Sequence, residues 1–316
     1  MEIYPAIDLR GGQVVRLYQG DYDQETVYAA DPCAVARDFM AAGAKCLHVV
    51  DLDGARDGTL ANFESIAAIA RQGGLYIEVG GGIRTEERIR RYLDLGVGRC
   101  ILGTIAVKDF NFTKRMAQAY GDRIAVGVDA RDGYVAVNGW KELSAEKGVD
   151  FCHRLRDAGV KAVIYTDISR DGAEQGTNLD LYRELATIDD LAITASGGVS
   201  SLEELRQLKA IGIHAAILGK ALYTGRLDLK TVIEEVTTTY LPLPALPTSA
   251  RPVPPSACGS RAMIRIRRPT PFLPALPPAP VSRSRSSTAS RSPLASRSCL
   301  PASAAQLAAA LPQPFT

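Results

Sequence analysis

After residue 236 the 316-residue sequence contains no lysine, aspartate or glutamate. Residues 237–316 instead hold nine arginines and sixteen of the eighteen prolines. Proline at that density cannot propagate a helix or sit in a central strand. The segment is therefore predicted to be a disordered, low-complexity tail. The remainder lacks other things. Its cysteines, Cys33, Cys46, Cys100 and Cys152, show no CxxC spacing and no Cys-His cluster, which excludes a zinc ribbon or a disulfide framework and fits thiols in a reducing compartment. No apolar run approaches the roughly 18 residues a bilayer requires. The opening Met1-Glu2-Ile3-Tyr4-Pro5 has neither a basic n-region nor an apolar h-region. A soluble, cytoplasmic protein without a membrane partner is expected. There is no Ser-His-Asp set, nucleophilic cysteine context or metal-ligand spacing, so neither a metal nor another cofactor is expected. The three histidines read as structural: His48 lies in an apolar strand, His153 in a helix and His214 at the start of a strand.

Residues 1–236 carry 28 Lys+Arg against 35 Asp+Glu, a net charge of −7, whereas the tail carries +9. The overall value of +2 describes neither segment. The first segment has the apolar content and length to bury a substantial core. We place the domain boundary after Val236. The tail run Ser282-Arg283-Ser284-Arg285-Ser286-Ser287 is compositionally akin to RS-type RNA-binding segments. It lacks interleaved aromatics and any recognised module, so nucleic acid is not an expected partner. An extension outside the native reading frame is the favoured account of the tail, because the pattern of the first segment is complete before it starts.

That pattern is eight short apolar runs alternating with eight helical stretches. The strands are predicted at Glu2–Asp8, Ala44–Asp51, Leu75–Gly80, Arg99–Leu102, Arg123–Asp129, Lys161–Asp167, Leu191–Ser196 and Ile213–Leu218. The helices are predicted at Pro32–Ala42, Phe63–Gln72, Glu86–Leu95, Asn111–Tyr120, Ala145–Ala158, Leu179–Ile188, Ser201–Ala210 and Asp228–Val236. Asp31 and Thr85 are placed to cap their helices, and Gly43, Gly96, Gly159 and Gly212 to end them. Nearly all-apolar strands imply sheets covered on both faces. Eight such units in about 235 residues predict an α/β protein of the (β/α)8 TIM-barrel class; a doubly wound open sheet is the alternative. An internal repeat favours the barrel. Asp51, Gly81-Gly82 and Gly103 recur as Asp167, Gly197-Gly198 and Gly219, each 116 positions later. Ala6-Ile7-Asp8-Leu9-Arg10-Gly11-Gly12 recurs as Val126-Gly127-Val128-Asp129 ahead of Asp132-Gly133, and both copies lead into a hairpin. Two half-barrels of four units follow.

Polar residues at strand C-terminal ends mark the active face of a barrel. Gly81-Gly82 with Gly103-Thr104, and Gly197-Gly198 with Gly219-Lys220, offer clustered backbone N–H groups near helix starts. Each set reads as a phosphate cup; tight turns are the plainer alternative. Two facing cups suit a small molecule with a phosphate at each end. Asp8 and Asp129, one from each half, would lie between them as an acid–base pair.

Pro5-Ala6-Ile7-Asp8-Leu9, Gln19-Gly20-Asp21-Tyr22, Val50-Asp51-Leu52-Asp53-Gly54-Ala55, Gly80-Gly81-Gly82-Ile83-Arg84 and Tyr165-Thr166-Asp167-Ile168-Ser169-Arg170-Asp171-Gly172 together carry a resemblance. Residues 1–236 resemble the ProFAR isomerases of histidine biosynthesis, the phosphoribosylformimino-aminoimidazole-carboxamide ribotide isomerases. The resemblance implies a cofactor-free Amadori rearrangement of an aminoaldose to an aminoketose in a bisphosphorylated substrate, carried out by a cytoplasmic monomer. It implies that Asp129 is the general acid at the ring oxygen, that Asp8 removes the C2′ proton, and that Thr166 supports Asp129 or the opening sugar. Arg16 and Trp140 become lid residues over the substrate, and Arg84 and Asp171 become substrate contacts. One departure is Thr177 in Gly176-Thr177-Asn178, where the family usually has proline, so a less rigid loop is expected. The cyclase subunit of imidazole-glycerol-phosphate synthase shares the repeat, the aspartates and the cups, but its first strand usually reads Pro-Cys-Leu-Asp. A dual isomerase that also accepts phosphoribosylanthranilate is a third reading.

Overall fold

A computed structural model describes residues 1–237. Eight parallel strands form its framework: β1 (Glu2–Arg10), β4 (Cys46–Asp51), β5 (Tyr76–Gly80), β6 (Arg99–Leu102), β7 (Ile124–Arg131), β10 (Ala162–Asp167), β11 (Ala192–Ser196) and β12 (Ala215–Leu218). They pair in that order, with β12 against β1, and β10 returns to β7, so the sheet closes on itself. This is the predicted TIM barrel. Each predicted strand lies within two residues of an observed end.

Two packed regions hold the barrel. Tyr4, Ala6, Cys46, Ile101, Ala125, Ala162, Ile164, Ala215 and Ile217 fill the interior. A larger set, including Ile7, Leu47, Val79, Val126, Val163 and Leu218, packs outward against the helices. Consecutive residues of one strand thus enter different cores, which is why the strands read as continuous apolar runs.

The helices begin where local chemistry directs. Asp31 caps α1 (Pro32–Ala41) by accepting from the Cys33 N–H, and Thr85 caps α4 (Glu86–Asp94) by accepting from the Arg88 N–H. Ser201 and Glu204 form a capping box on α9 (Leu202–Ala210). Gly43, Gly96, Gly159 and Gly212 all take left-handed φ at helix ends, as predicted. The helix α7 spans Gly148–Asp157, shorter than the predicted Ala145–Ala158. Residues 145–147 instead finish strand β9 (Glu142–Lys147), which pairs antiparallel with β8 (Tyr134–Val137). The counterpart in the first half is β2 (Gln13–Tyr18) with β3 (Asp21–Ala29). Both hairpins therefore carry a second strand that buries no residue; β3 shows no period-two pattern, and β9 alternates only between exposed and half-buried positions. Short helices α2 (Leu52–Asp57), α5 (Thr104–Lys108) and α10 (Lys220–Tyr223) follow β4, β6 and β12.

The last described helix, α11, covers Leu229–Thr237. The predicted disordered tail lies, from residue 238 on, outside the described residues. Among the described residues no helix is long and apolar enough to cross a membrane.

Candidate active site

The C-terminal ends of the strands open onto a cavity lined by Asp8, Arg16, Gly81, Gly82, Arg84, Gly103, Thr104, Asp129, Trp140, Thr166 and Asp171. A smaller cavity adjoins it, lined by Gly197, Gly198, Gly219 and Lys220. Arg16 and Asp171 line both. Each residue predicted to act in catalysis or phosphate binding therefore lines one of two neighbouring cavities.

Asp8 ends the apolar part of β1, opposite Val15 of the hairpin and beside Val50 of β4. The turn that follows it is anchored from below. The Gly11 N–H donates to Asp53 Oδ2 at 2.7 Å and the Gly12 N–H to Asn62 Oδ1 at 2.8 Å. Asn62 in turn donates to buried Asp51 and to Asp53. Asp51 also caps α2 through the Gly54 N–H. The Asp51-Leu52-Asp53-Gly54 motif thus fixes the loop that carries the hairpin. Arg16 Nη1 donates to Asp8 Oδ2 at 2.8 Å. Its guanidinium lies against Gly219, where a Cβ would stand 2.3 Å from Nη2.

Asp129 lies on β7 with Thr166 of β10 as its register partner. The Trp140 indole N–H donates to Asp129 Oδ2 at 2.8 Å. Burial pushes the Asp129 carboxyl above its ordinary value, against the hydrogen bonds from Trp140 and Thr166 that favour the anion. Burial likewise raises Asp171, opposed by the neighbouring Arg16 charge. Trp140 reaches Asp129 because the chain turns sharply before it. Asn138, Gly139 and Trp140 all have positive φ, at 57°, 67° and 68°. A bulky residue there is a genuine outlier, of the kind that clusters at functional sites. The tip of the first hairpin packs on the indole at Gly20, where a Cβ would lie 2.4 Å from the ring. Gln19 beside it donates to the Ser169 carbonyl at 2.9 Å. The two hairpins and the loop after β10 meet over the cavity.

The glycine pairs have a packing reason of their own. A Cβ on Gly81 would stand 2.2 Å from the Asp51 carbonyl oxygen, and one on Gly197 2.5 Å from that of Asp167. Gly82 and Gly198 press equally close to the Gly54 and Gly176 carbonyls. The repeat is thus one of packing as well as of sequence: each half seats a Gly-Gly turn on the backbone of the preceding strand's loop. Gly103 and Gly219 differ. They precede α5 and α10 with matching backbones, φ −96° and ψ −114° against φ −108° and ψ −108°. Among the described residues no atom lies within 4 Å of a Cβ on Gly103. Thr104 Oγ1 accepts from the Asn138 N–H at 3.0 Å, which ties this cup to the Trp140 loop. Lys220 donates to the Gly172 carbonyl at 2.8 Å, which ties the second cup to the loop after β10. Arg84 flanks the first cup and donates to the Ala55 carbonyl at 3.3 Å.

Ser196 and His48 are among the cavity residues that escaped the sequence reading. Ser196, at the C-terminal tip of β11, lines both cavities; its strand-end position was the available signal. His48 lines the main cavity and is not merely a core histidine. His153 falls in α7, and His214 pairs loosely with Glu2 at 3.8 Å.

Comparison with known proteins bears on this geometry. The family model described as "Histidine biosynthesis protein" matches residues 2–228. A protein of Brachyspira hyodysenteriae is 50% identical over 234 residues, covering 74% of this chain and 98% of the relative. One of Campylobacter concisus is 51% identical over 237 residues, covering 75% of this chain and all of the relative. One of Synechocystis sp. is 48% identical over 239 residues, covering 75% and 93%. Each of the three is named 1-(5-phosphoribosyl)-5-((5-phosphoribosylamino)methylideneamino) imidazole-4-carboxamide isomerase. With the closed barrel, the repeated glycine turns and the two strand-tip aspartates, the match places this chain in the histidine biosynthesis protein family.

Proposed function

We propose that this chain catalyses the isomerisation for which its relatives are named, converting the aminoaldose ProFAR to the aminoketose PRFAR by an Amadori rearrangement. The observation that carries the reading is one cavity holding Asp8 and Asp129 at the tips of β1 and β7, each with its own donor. Asp129 is the general acid. Its burial favours the protonated carboxyl, and Trp140 and Thr166 steady the carboxylate left after the proton goes. The proton passes to the ribose ring oxygen, the bond from that oxygen to C1′ breaks, and a Schiff base remains at C1′. Asp8, oriented by Arg16, then removes the C2′ proton. The resulting enolamine returns as the ketose when C1′ is protonated and the C2′ hydroxyl loses its proton. The steps move protons and rearrange bonds within the substrate, with no external oxidant or reductant, so the proposed route is cofactor-free.

The substrate's two phosphates supply the orientation. One occupies the cup of Gly81, Gly82, Gly103 and Thr104 beside Arg84. The other occupies the cup of Gly197, Gly198, Gly219 and Lys220. Asp171 contacts the sugar between them. All these groups come from one chain, so the proposed site needs no residue from a second copy; a monomeric, cytoplasmic enzyme is part of the proposal. We also take 1–236 as the catalytic domain. The test is spectroscopic: the full chain is assayed for conversion of ProFAR, for isomerisation of phosphoribosylanthranilate, and for cyclisation of PRFAR with ammonia. Turnover of ProFAR alone supports the reading. Cyclisation without ProFAR isomerisation rejects it, and isomerisation of both substrates broadens it.

A further inference from the structure

The barrel interior carries a charged cluster that the chemistry above does not use. His48, Glu78 and Arg99 stand on three successive strands, β4, β5 and β6. Glu78 is completely buried, and its two carboxylate oxygens serve different partners. Oε1 lies 2.7 Å from His48 Nδ1, and Oε2 accepts from Arg99 Nη1 at 3.3 Å. Arg99 is itself held, over the Tyr76 ring and by the Asp122 carbonyl.

Stability is a poor reason to keep such a cluster. Desolvating two charges costs several kcal/mol each, and apolar replacements of buried ion pairs are often as stable or more so. Tyr4, Cys46 and Ile101 belong to the interior core around it, and the Tyr4 hydroxyl donates to Glu2 at 3.2 Å. What the cluster does achieve is a fixed imidazole. An ionised carboxylate only accepts hydrogen bonds, so the proton of the Glu78 contact belongs to His48 Nδ1. Nε2 has no protein partner among the described residues, and the ring lines the main cavity. His48 pairs in register with Ala6, one layer below Asp8, and shares the lining of the main cavity with Asp8, Asp129 and Asp171. Nε2 thus belongs to the middle of the site, between the two halves, where the reading above puts the rearranging sugar.

We propose that Glu78, braced by Arg99, is a positioning residue that holds His48 with its proton on Nδ1, so that His48 Nε2 accepts a hydrogen bond from a hydroxyl of the rearranging sugar. The proposal rests on the isomerase reading for the identity of the sugar but not for the arrangement of the three side chains. It gives the buried pair the role that carboxylates commonly play behind functional histidines, setting tautomer and ring orientation.

The chain has three histidines, so their ¹⁵N-labelled ring signals resolve individually. Spectra at pH 8, above the reference imidazole value of about 6.5, report the tautomer of each. The wild type is expected to show His48 protonated on Nδ1 alone. Glu78→Gln should mix the tautomers, because an amide both donates and accepts. It also leaves Arg99 unpaired, so the double variant Glu78→Gln with Arg99→Met removes the stranded charge if the single variant does not fold. In the assay, His48→Asn keeps a donor for Glu78 but withdraws Nε2 from the cavity. It should fold as the wild type does and lose about 10–100-fold in kcat/KM. The Glu78/Arg99 double variant should lose a similar factor, and adding His48→Asn to it should lose little more. His48→Gln, whose amide reaches the Nε2 position, should recover part of the loss. A wild-type ring protonated on Nε2, singly or doubly, overturns the proposal. So does a folded double variant with unchanged turnover. A wild type inactive on ProFAR whose His48 tautomer still depends on Glu78 would sink the isomerase reading and leave the Glu78 arrangement standing.

Discussion

Replacing Gly82 with alanine separates the two explanations for the glycine turns. At this position φ is +68°, and an added Cβ would stand 1.9 Å from the carbonyl oxygen of Gly54. That neighbour is backbone, part of α2 and held by the Asp51 cap, so it cannot swing aside. The left-handed conformation costs an L residue about 1–2 kcal/mol, and overpacking against a fixed group about 1–3 kcal/mol more. The variant should be destabilised by about 2–5 kcal/mol, which for a domain of this size lowers Tm by roughly 4–20 °C. Gly198→Ala should behave alike, with φ +81° and a contact of 2.5 Å to the Gly176 carbonyl. Gly103→Ala is the contrast. Its Cβ meets no described atom within 4 Å, so the overpacking cost is absent; what remains is the poorer N-cap and a ψ of −114° outside the α and β regions, together about 1–3 kcal/mol, or a Tm loss of roughly 2–12 °C. Its methyl group would nevertheless crowd the first phosphate cup, and kcat/KM should fall by at least about tenfold, the equivalent of one hydrogen bond to a charged group. Calorimetry and steady-state turnover of ProFAR on the three variants decide the matter. A Gly82→Ala protein that melts with the wild type would refute the packing argument. Full activity in Gly103→Ala would remove that residue from the phosphate site.

Asp8→Asn and Asp129→Asn each keep shape while removing a proton-transfer group; each should lower kcat by about 10²–10⁴ with smaller changes in KM, and near wild-type turnover would remove that residue from the mechanism. Trp140→Phe removes a hydrogen bond that favours the Asp129 carboxylate, so the Asp129 pKa, already raised by burial, should rise further; because Asp129 acts as the acid, the alkaline limb of kcat should move to higher pH, and a shift to lower pH would contradict the assignment. Substrate analogues lacking either phosphate should lose orders of magnitude in kcat/KM, part of it in kcat, because remote binding energy positions the reacting carbons; an analogue that works as well as ProFAR would reduce the corresponding cup to a turn. Truncation after Val236 should leave Tm and kcat/KM unchanged, and a marked loss of either would show that the acid-free segment is part of the working domain.

The sequence by itself determined the barrel. Its strands are covered on both faces, so they appear as short apolar runs whose ends fall within two residues of the observed ones. The spacing of 116 between matching motifs set out the two halves. Strand-tip position was enough to bring Asp8, Asp129 and Thr166 into one cavity, because a barrel gathers the C-terminal ends of all its strands. That same double coverage hid His48. In a strand with no polar face, Leu47, His48 and Val49 read alike, and only the register with β1 and β5 turns His48 inward to Glu78 and leaves its neighbours under the helices. The second hairpin strands were illegible for the opposite reason: Asp21–Ala29 and Glu142–Lys147 bury no residue and owe their form to pairing rather than to pattern. The glycine pairs announced a constraint but not its source, which is a carbonyl from a loop some thirty or twenty residues away in the chain. The bond from Trp140 to Asp129 depends on three successive positive-φ residues that turn the chain back over β7, and the placing of Arg16 between Asp8 and Gly219 depends on β12 closing against β1.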